Sequence, residues 1–385
     1  MLSYLLILIL PWLLALVLTP WVLRWAQSHR WLDHPRAHKT HTQAMPVLGG
    51  VAVFGAMALG IGLAAPFSLP IRAGLFGPGS LTALAGGLFL VLAVGAYDDR
   101  RDLRASLKLV AQILIAAGTW LLGFRCGAVE LPFGLAVGGE ALPSFLVTVV
   151  WIVILINAFN LIDGLDGLAA GLGIIANLTI FVLAAAHGAT VPVVAALALA
   201  GALSGFLRYN VPPARIFLGD AGSMGIGYTT AVLALSSYQK APTAVVLVVP
   251  LIVLGLPVLD TIAAVVRRTL DHVSREGPNG LSPAQVSRAV FRPDRRHIHH
   301  LLVRMGWSVR GALFLLYAIS GGLSLLALGT RGLNPELRWA LWLLLIVLGV
   351  VGYRAAERYV RRREERLGLG NSAAGSTSTE TRAAS

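Results

Sequence analysis

Four stretches of this sequence carry side chains whose types and spacing could do chemistry. The first is Tyr97-Asp98-Asp99-Arg100-Arg101-Asp102, directly after an apolar run. Adjacent carboxylates repel, and at a helix C-terminus they oppose the macrodipole, so a divalent cation or a proton-accepting role would offset both costs. Taken alone, the same pair also fits a solvated helix end. The second stretch is NAFNLIDGLDGLAAG, in which Asn157, Asn160, Asp163 and Asp166 recur every three residues. A capped helix junction needs one Asp or Asn, not this series. The third, NVPPARIFLGDAGSMGIGY, breaks one helix at Pro212-Pro213 and opens the next at Gly219-Asp220. Asp220 could be only an N-cap, but its place among the other aspartates favours a metal ligand. Hard oxygen donors with few imidazoles point to magnesium, which binds through one or two carboxylates plus substrate phosphates; manganese is the alternative ion. In the fourth, Asp294-Arg295-Arg296-His297-Ile298-His299-His300, neither Cys nor an HExxH pattern supports zinc. Arg295 and Arg296 would repel a cation and suit phosphate, with His297, His299 and His300 as further donors to an anionic substrate. Lys39 and His41 stand in a basic loop before the next apolar run.

The elements that must position these residues are membrane helices. Hydrophobic residues make up 56% of the 385, charged ones 13%, and the mean hydropathy is +0.76. Lipid is therefore the main solvent, and a span needs about 20 predominantly apolar residues because the bilayer offers exposed backbone no water. The expected fold is all-α, a polytopic transmembrane helical bundle of about eleven spans near 4–24, 47–66, 81–97, 107–124, 144–160, 168–187, 190–207, 218–236, 242–266, 312–329 and 338–354. One catalytic membrane domain covers 1–366, with 267–311 its longest cytoplasmic loop; 367–385 reads as a disordered polar tail. The first span lacks a preceding basic residue and a cleavage site, so a retained helix is expected. Cys126 is the only cysteine, which excludes an internal disulfide and a multi-thiolate metal site.

The net charge of +13 raises the question of nucleic acid. Its distribution answers it. Of the 31 Lys and Arg, only Arg72, Arg125, Lys240, Arg331 and Arg338 fall on the outer side when the N-terminus is external. That follows the positive-inside rule and requires no polyanionic partner, so nucleic acid is not expected. Every aspartate falls on or near the cytoplasmic side, and ionisable groups at membrane helix ends tend to mark sites. A single acidic site at the cytoplasmic face is expected.

Together these segments resemble the polyprenyl-phosphate N-acetylhexosamine-1-phosphate transferase family, glycosyltransferase family 4, from about Asp33 to Trp307. DD followed by KLVAQ (Lys108 to Gln112), NAFNLIDGLDGLAAG, NVPPARIFLGDAGS, Asp260 and DRRHIHHLL stand in family order. The resemblance implies Asp98 and Asp99 near the lipid phosphate, Asp163 and Asp166 in the nucleotide pocket, Asp220 as metal ligand with Asp99 beside it, and His297 in a histidine motif with His299 and His300. Asp98, Asp99, Asp163, Asp166 and His297 are then the catalytic set. Lys39, His41, Lys108, Asn157, Asn160, Asn210, Arg267, Arg295, Arg296, His299 and His300 are the substrate-binding set. HIHHLL resembles the N-acetylglucosamine-1-phosphate branch, whereas three consecutive histidines mark the muramoyl-pentapeptide branch. The long spacer from Thr269 to Val290 departs from the family pattern. The implied partners are a UDP-sugar, polyprenyl phosphate and the bilayer, and a homodimer is compatible with them. The implied place is a bacterial plasma (inner) membrane, and the implied role is the first membrane step of cell-envelope glycan synthesis, such as lipopolysaccharide or teichoic acid. A secondary transporter competes from another class, but its ion sites should lie near mid-span in repeated, discontinuous helices, and no repeat is visible.

Overall fold

The computed structural model describes residues 2–33, 44–130, 136–137, 139–240 and 298–366. Twelve helices are described: α1 (Leu2–Ser28), α2 (Gly49–Ala64), α3 (Leu69–Ala73), α4 (Leu81–Arg101), α5 (Ala105–Leu121), α6 (Ala141–Ile162), α7 (Leu168–Ala186), α8 (Thr190–Asn210), α9 (Gly219–Lys240), α10 (Ile298–Arg304), α11 (Val309–Gly329) and α12 (Pro335–Arg366). Among the described residues strand is confined to two short antiparallel pairs, with registers Leu32↔Pro46, Asp33↔Met45 and Val129↔Val137, Glu130↔Ala136. The all-α, polytopic expectation holds.

Eight of these helices are long and apolar enough to cross a membrane: α1, α2 with its short extension to Phe67, α4, α6, α7, α8, α11 and Glu336–Arg363 of α12. Two expected spans differ in kind from the rest. α5 is apolar but has only 17 residues. α9 is absent from the eight, and its sequence GDAGSMGIGYTTAV shows why: it is rich in Gly, Thr and Ser. Every residue from Ala221 to Leu235 is buried, with α2, α4, α6 and α7 packed around them. Protein, not lipid, solvates this helix, so the hydropathy that a lipid-facing span needs is not required of it. The expected span 242–266 and the tail 367–385 lie outside the described residues.

Polar side chains within the bundle pair across helices. Asn177 Nδ2 on α7 donates to Thr230 Oγ1 at 3.0 Å, Trp151 Nε1 on α6 donates to the Ala231 carbonyl at 3.1 Å, and Thr119 on α5 meets Tyr228 at 3.0 Å. Each bond ties an outer helix to α9, where no water competes for it. The start of α9 is also fixed by backbone: Gly49 and Gly50, whose N–H groups have no partner within α2, donate to the carbonyls of Phe217 and Leu218, both at 2.9 Å.

Short connections make successive helices antiparallel. The C-termini of α4, α6 and α8 therefore meet the N-termini of α5, α7 and α9 at one end of the bundle. All the acidic and amide residues singled out from 98 to 220 sit at that end.

Candidate active site

The α4–α5 connection brings a lysine back onto the carboxylate it has just left. Asp102 ends α4 in the left-handed region (φ 48), a conformation that Asp tolerates better than most residues, and its N–H bonds the Asp98 carbonyl at 3.0 Å. Leu103 N–H then donates to Asp98 Oδ1 at 2.7 Å, and Lys108, one turn into α5, reaches Asp98 Oδ2 at 2.7 Å. The same ammonium meets Asp220 Oδ2 at 2.6 Å and Asn160 Oδ1 at 3.3 Å. Lys108 is thus the common partner of groups on α4, α6 and α9. Asn160 Nδ2 completes the ring, donating to Asp220 Oδ1 at 2.6 Å and to Ser223 Oγ at 3.0 Å.

Asp99 does a different task. Its Oδ1 accepts from the Asp220 N–H at 2.7 Å and its Oδ2 from the Ala221 N–H at 3.3 Å. A carboxylate from α4 therefore caps the N-terminus of α9, where free N–H groups and the positive end of the macrodipole both favour an anion. Asp220 is not the cap, as it might have been; its own N–H is capped, and its carboxylate is left to Lys108 and Asn160. Gly219 makes the approach possible. It sits at φ +71, and a Cβ there would come within 2.6 Å of Asp99 Oδ2. Lys108, expected to bind substrate, and Asp99, expected as catalytic and metal-linked, thus hold the carboxylate frame in this structure.

The short turn between α6 and α7 carries Asp163 and Asp166. Asp166 Oδ2 accepts from the Ala214 N–H at 2.9 Å, and Asn210 Oδ1 accepts from the Gly167 N–H at 3.1 Å while its Nδ2 donates to the Ile216 carbonyl at 2.8 Å. These bonds bind the 163–167 turn to the 211–218 connection. Asp163 accepts no hydrogen bond from the described residues. Burial, and then the charges of Asp220, Asp99 and Asp166, push its carboxyl well above the usual carboxylate range. Such a carboxylate is one that an added cation would relieve.

No three His, Cys, Asp or Glu side chains among the described residues form a ready-made metal cage. Magnesium does not need one, since one or two carboxylates and substrate phosphates suffice. Asp220 accepts one side-chain donor on each oxygen, and a carboxylate offers about four lone-pair sites, so capacity remains. The residues fit the ion.

Of the other expected residues, Asn157 lies one turn below Asn160, where its Nδ2 donates to Gln112 Oε1 at 2.7 Å. Gln112 and Ser223 were missed as site residues; Gln112 follows Lys108 by four positions, which places both on one face of α5, the signal that could have found it. His299 and His300 lie on the backbone of α10. Lys39, His41, Asp260, Arg267, Arg295, Arg296 and His297 lie outside the described residues.

Comparison with known proteins identifies the family. Residues 81–238 match the family described as glycosyl transferase family 4, a stretch that runs from the first residue of α4 into α9 and contains the whole cluster. The chain is 33% identical to the probable undecaprenyl-phosphate N-acetylglucosaminyl 1-phosphate transferase of Bacillus subtilis, over 88% of its own length and 86% of that protein's. It is 35% identical to the decaprenyl-phosphate N-acetylglucosaminephosphotransferase of Mycolicibacterium smegmatis, over 82% and 79%. To the undecaprenyl-phosphate alpha-N-acetylglucosaminyl 1-phosphate transferase of Escherichia coli K12 it is 28% identical, over 87% and 88%. With relatives this similar along most of its length, and with its acids, amides and lysine gathered at one end of a membrane bundle, the chain belongs to glycosyl transferase family 4, in the branch of the polyprenyl-phosphate N-acetylglucosaminyl 1-phosphate transferases.

Proposed function

We propose that this protein transfers N-acetylglucosamine-1-phosphate from UDP-N-acetylglucosamine to polyprenyl phosphate in a bacterial plasma membrane, releasing UMP. The observation that carries the reading is the Lys108 ammonium held between Asp98 and Asp220 at a membrane helix end, with Asp163 beside them unpaired among the described residues. An oxygen of the lipid phosphate attacks the β-phosphorus of the donor; the bond from that phosphorus to the bridging oxygen breaks, and the electron pair leaves with UMP. Little covalent work falls to the protein in such a transfer, so positioning and charge stabilisation are its main contributions. Bound magnesium, held by Asp220 with the diphosphate, would supply charge neutralisation. Lys108 supplies fixed positive charge where two phosphates must approach each other. Both oxygens of Asp98 already accept donors, from Leu103 N–H and Lys108, which suits the placement of Lys108 more than proton abstraction.

The test is purified protein with magnesium, undecaprenyl phosphate and a panel of UDP-sugars that includes UDP-N-acetylglucosamine and UDP-MurNAc-pentapeptide. Turnover with UDP-N-acetylglucosamine is expected; turnover with the pentapeptide donor alone would reassign the donor, and none with any would sink the reading. In a direct attack both substrates must be present, so without lipid no UMP is released and no label passes between UMP and UDP-sugar. Lipid-independent exchange would instead require a phosphorylated enzyme intermediate.

The soluble donor calls for a cytoplasmic site. Arg104, at the start of α5, and His187, at the end of α7, are exposed at opposite ends of the bundle, while the lone native thiol of Cys126 is buried. With the site inside, an impermeant maleimide labels His187→Cys in intact cells and Arg104→Cys only after permeabilisation. The reverse pattern would overturn the orientation.

A further inference from the structure

α11 lies well beyond the stretch that matches the family, which ends at 238, yet one of its faces rests on the site. Tyr317 donates its O–H to the Gly167 carbonyl at 2.6 Å, and Arg310 donates Nε–H to the Pro212 carbonyl at 3.0 Å. These residues are seven apart, two helical turns on one face, and buried Leu313 packs between them near Gly167. The two carbonyls belong to the two connections that Asp166 and Asn210 already tie together. Gly167 is therefore held from both sides, by Asn210 on its N–H and, on its C=O, by Tyr317 as a second donor beside the Gly171 N–H at 2.9 Å. The ring reaches that carbonyl over glycines: a Cβ on Gly171 would overlap it, and one on Gly167 would come within 3.4 Å of its hydroxyl.

The geometry points to Tyr317 as a positioning residue for the turn that carries Asp163 and Asp166, acting on the nucleotide-sugar side of the site and not on the lipid-phosphate side. The inference rests on the proposed transfer reaction. The choice of substrate rests on the nucleotide-pocket role that the family resemblance implies for Asp163 and Asp166. The structure supplies the one-sided bracing, in which Asp98, Lys108 and Asp220 are held by the Asp99 cap and by one another, with no bond to α11 among the described residues, whereas the 163–167 turn is braced by α11 directly. Tyr317→Phe removes the hydroxyl and keeps the ring that fills the space over Gly171.

The experiment has two readouts on full-length protein in detergent. Hydrogen–deuterium exchange of the 163–168 segment should rise about fivefold in Tyr317→Phe, the loss of one ordinary hydrogen bond, with the end of α4 unchanged. In the transferase assay KM for the UDP-sugar should rise by about the same factor while KM for polyprenyl phosphate stays at the wild-type value. Unaltered exchange would overturn the inference. So would a parallel shift of both KM values, which indicates general loosening, or raised exchange with neither KM moved. Absence of wild-type turnover would refute the proposed reaction, and with it the donor-side assignment, while the exchange result separately decides whether Tyr317 holds the turn.

Discussion

Replacing Lys108 with methionine is expected to lower turnover by about a thousandfold or more, the largest effect of any single change outside the carboxylates. The ammonium lies 2.7 Å from Asp98 and 2.6 Å from Asp220, and it is the one described cation bridging them. A single preorganised donor aimed at developing transition-state charge is worth about 10²- to 10³-fold in mutational work on oxyanion holes, and Lys108 holds three partners in place as well. Stability falls too, because two carboxylates are left facing each other. Removing one partner of a buried pair costs about 3–5 kcal/mol, and the lower end applies here because Asp220 is 33% exposed. The two effects can be separated. Lys108→Met combined with Asp98→Asn removes one of the repelling charges, so thermal unfolding in detergent should recover part of the loss while turnover does not. Turnover of Lys108→Met within tenfold of wild type would refute the central place given to this lysine.

Asp220→Asn should be nearly as severe, and for a reason that is visible in the hydrogen bonds. Asp220 Oδ1 faces the Asn160 amide nitrogen and Oδ2 faces the Lys108 ammonium, so both neighbours are donors. An asparagine must turn its own NH2 toward one of them. Asn160 cannot rotate to compensate without giving up its bonds to Lys108 and Ser223, at 3.3 and 3.0 Å. The substitution thus breaks the ring even where it preserves shape, and it weakens the carboxylate that best suits magnesium. Turnover should drop about 10²- to 10³-fold and not return as magnesium is raised. The fold should survive, since the cap on α9 comes from Asp99 and the lost helix-dipole contribution is only about 0.3–1 kcal/mol. Near-normal activity at saturating magnesium would remove Asp220 from the metal site.

Much of this could be read along the chain. Apolar runs of about 20 residues can only be helices in lipid, so their positions, and the alternation that puts the ends of α4, α6 and α8 beside the starts of α5, α7 and α9, follow from spacing alone. The series Asn157, Asn160, Asp163, Asp166 marks a functional turn because four polar groups at a helix end exceed what capping uses. The likeness to the transferase family rested on the same residues.

Partnership could not be read that way. Helical periodicity tells which face of a helix a residue occupies but not which helix lies opposite, and Lys108 and Asp220 are 112 positions apart. Asp98 and Asp99 are adjacent and chemically identical, yet one turns toward Lys108 and the other caps α9, a division made by the 100° step between neighbouring helix positions and by Gly219 yielding space to one of them. A span at 218–236 can be read from the sequence, but that protein and not lipid surrounds α9 shows only in its burial from Ala221 to Leu235. Tyr317 gives no sign at all within an apolar run, because its significance lies in the backbone carbonyl it reaches, 150 positions away. The chain's own pattern of polarity sets where helices begin, end and carry charge; only their packing decides which charged group meets which, since those contacts depend on rotations and separations that no local pattern encodes.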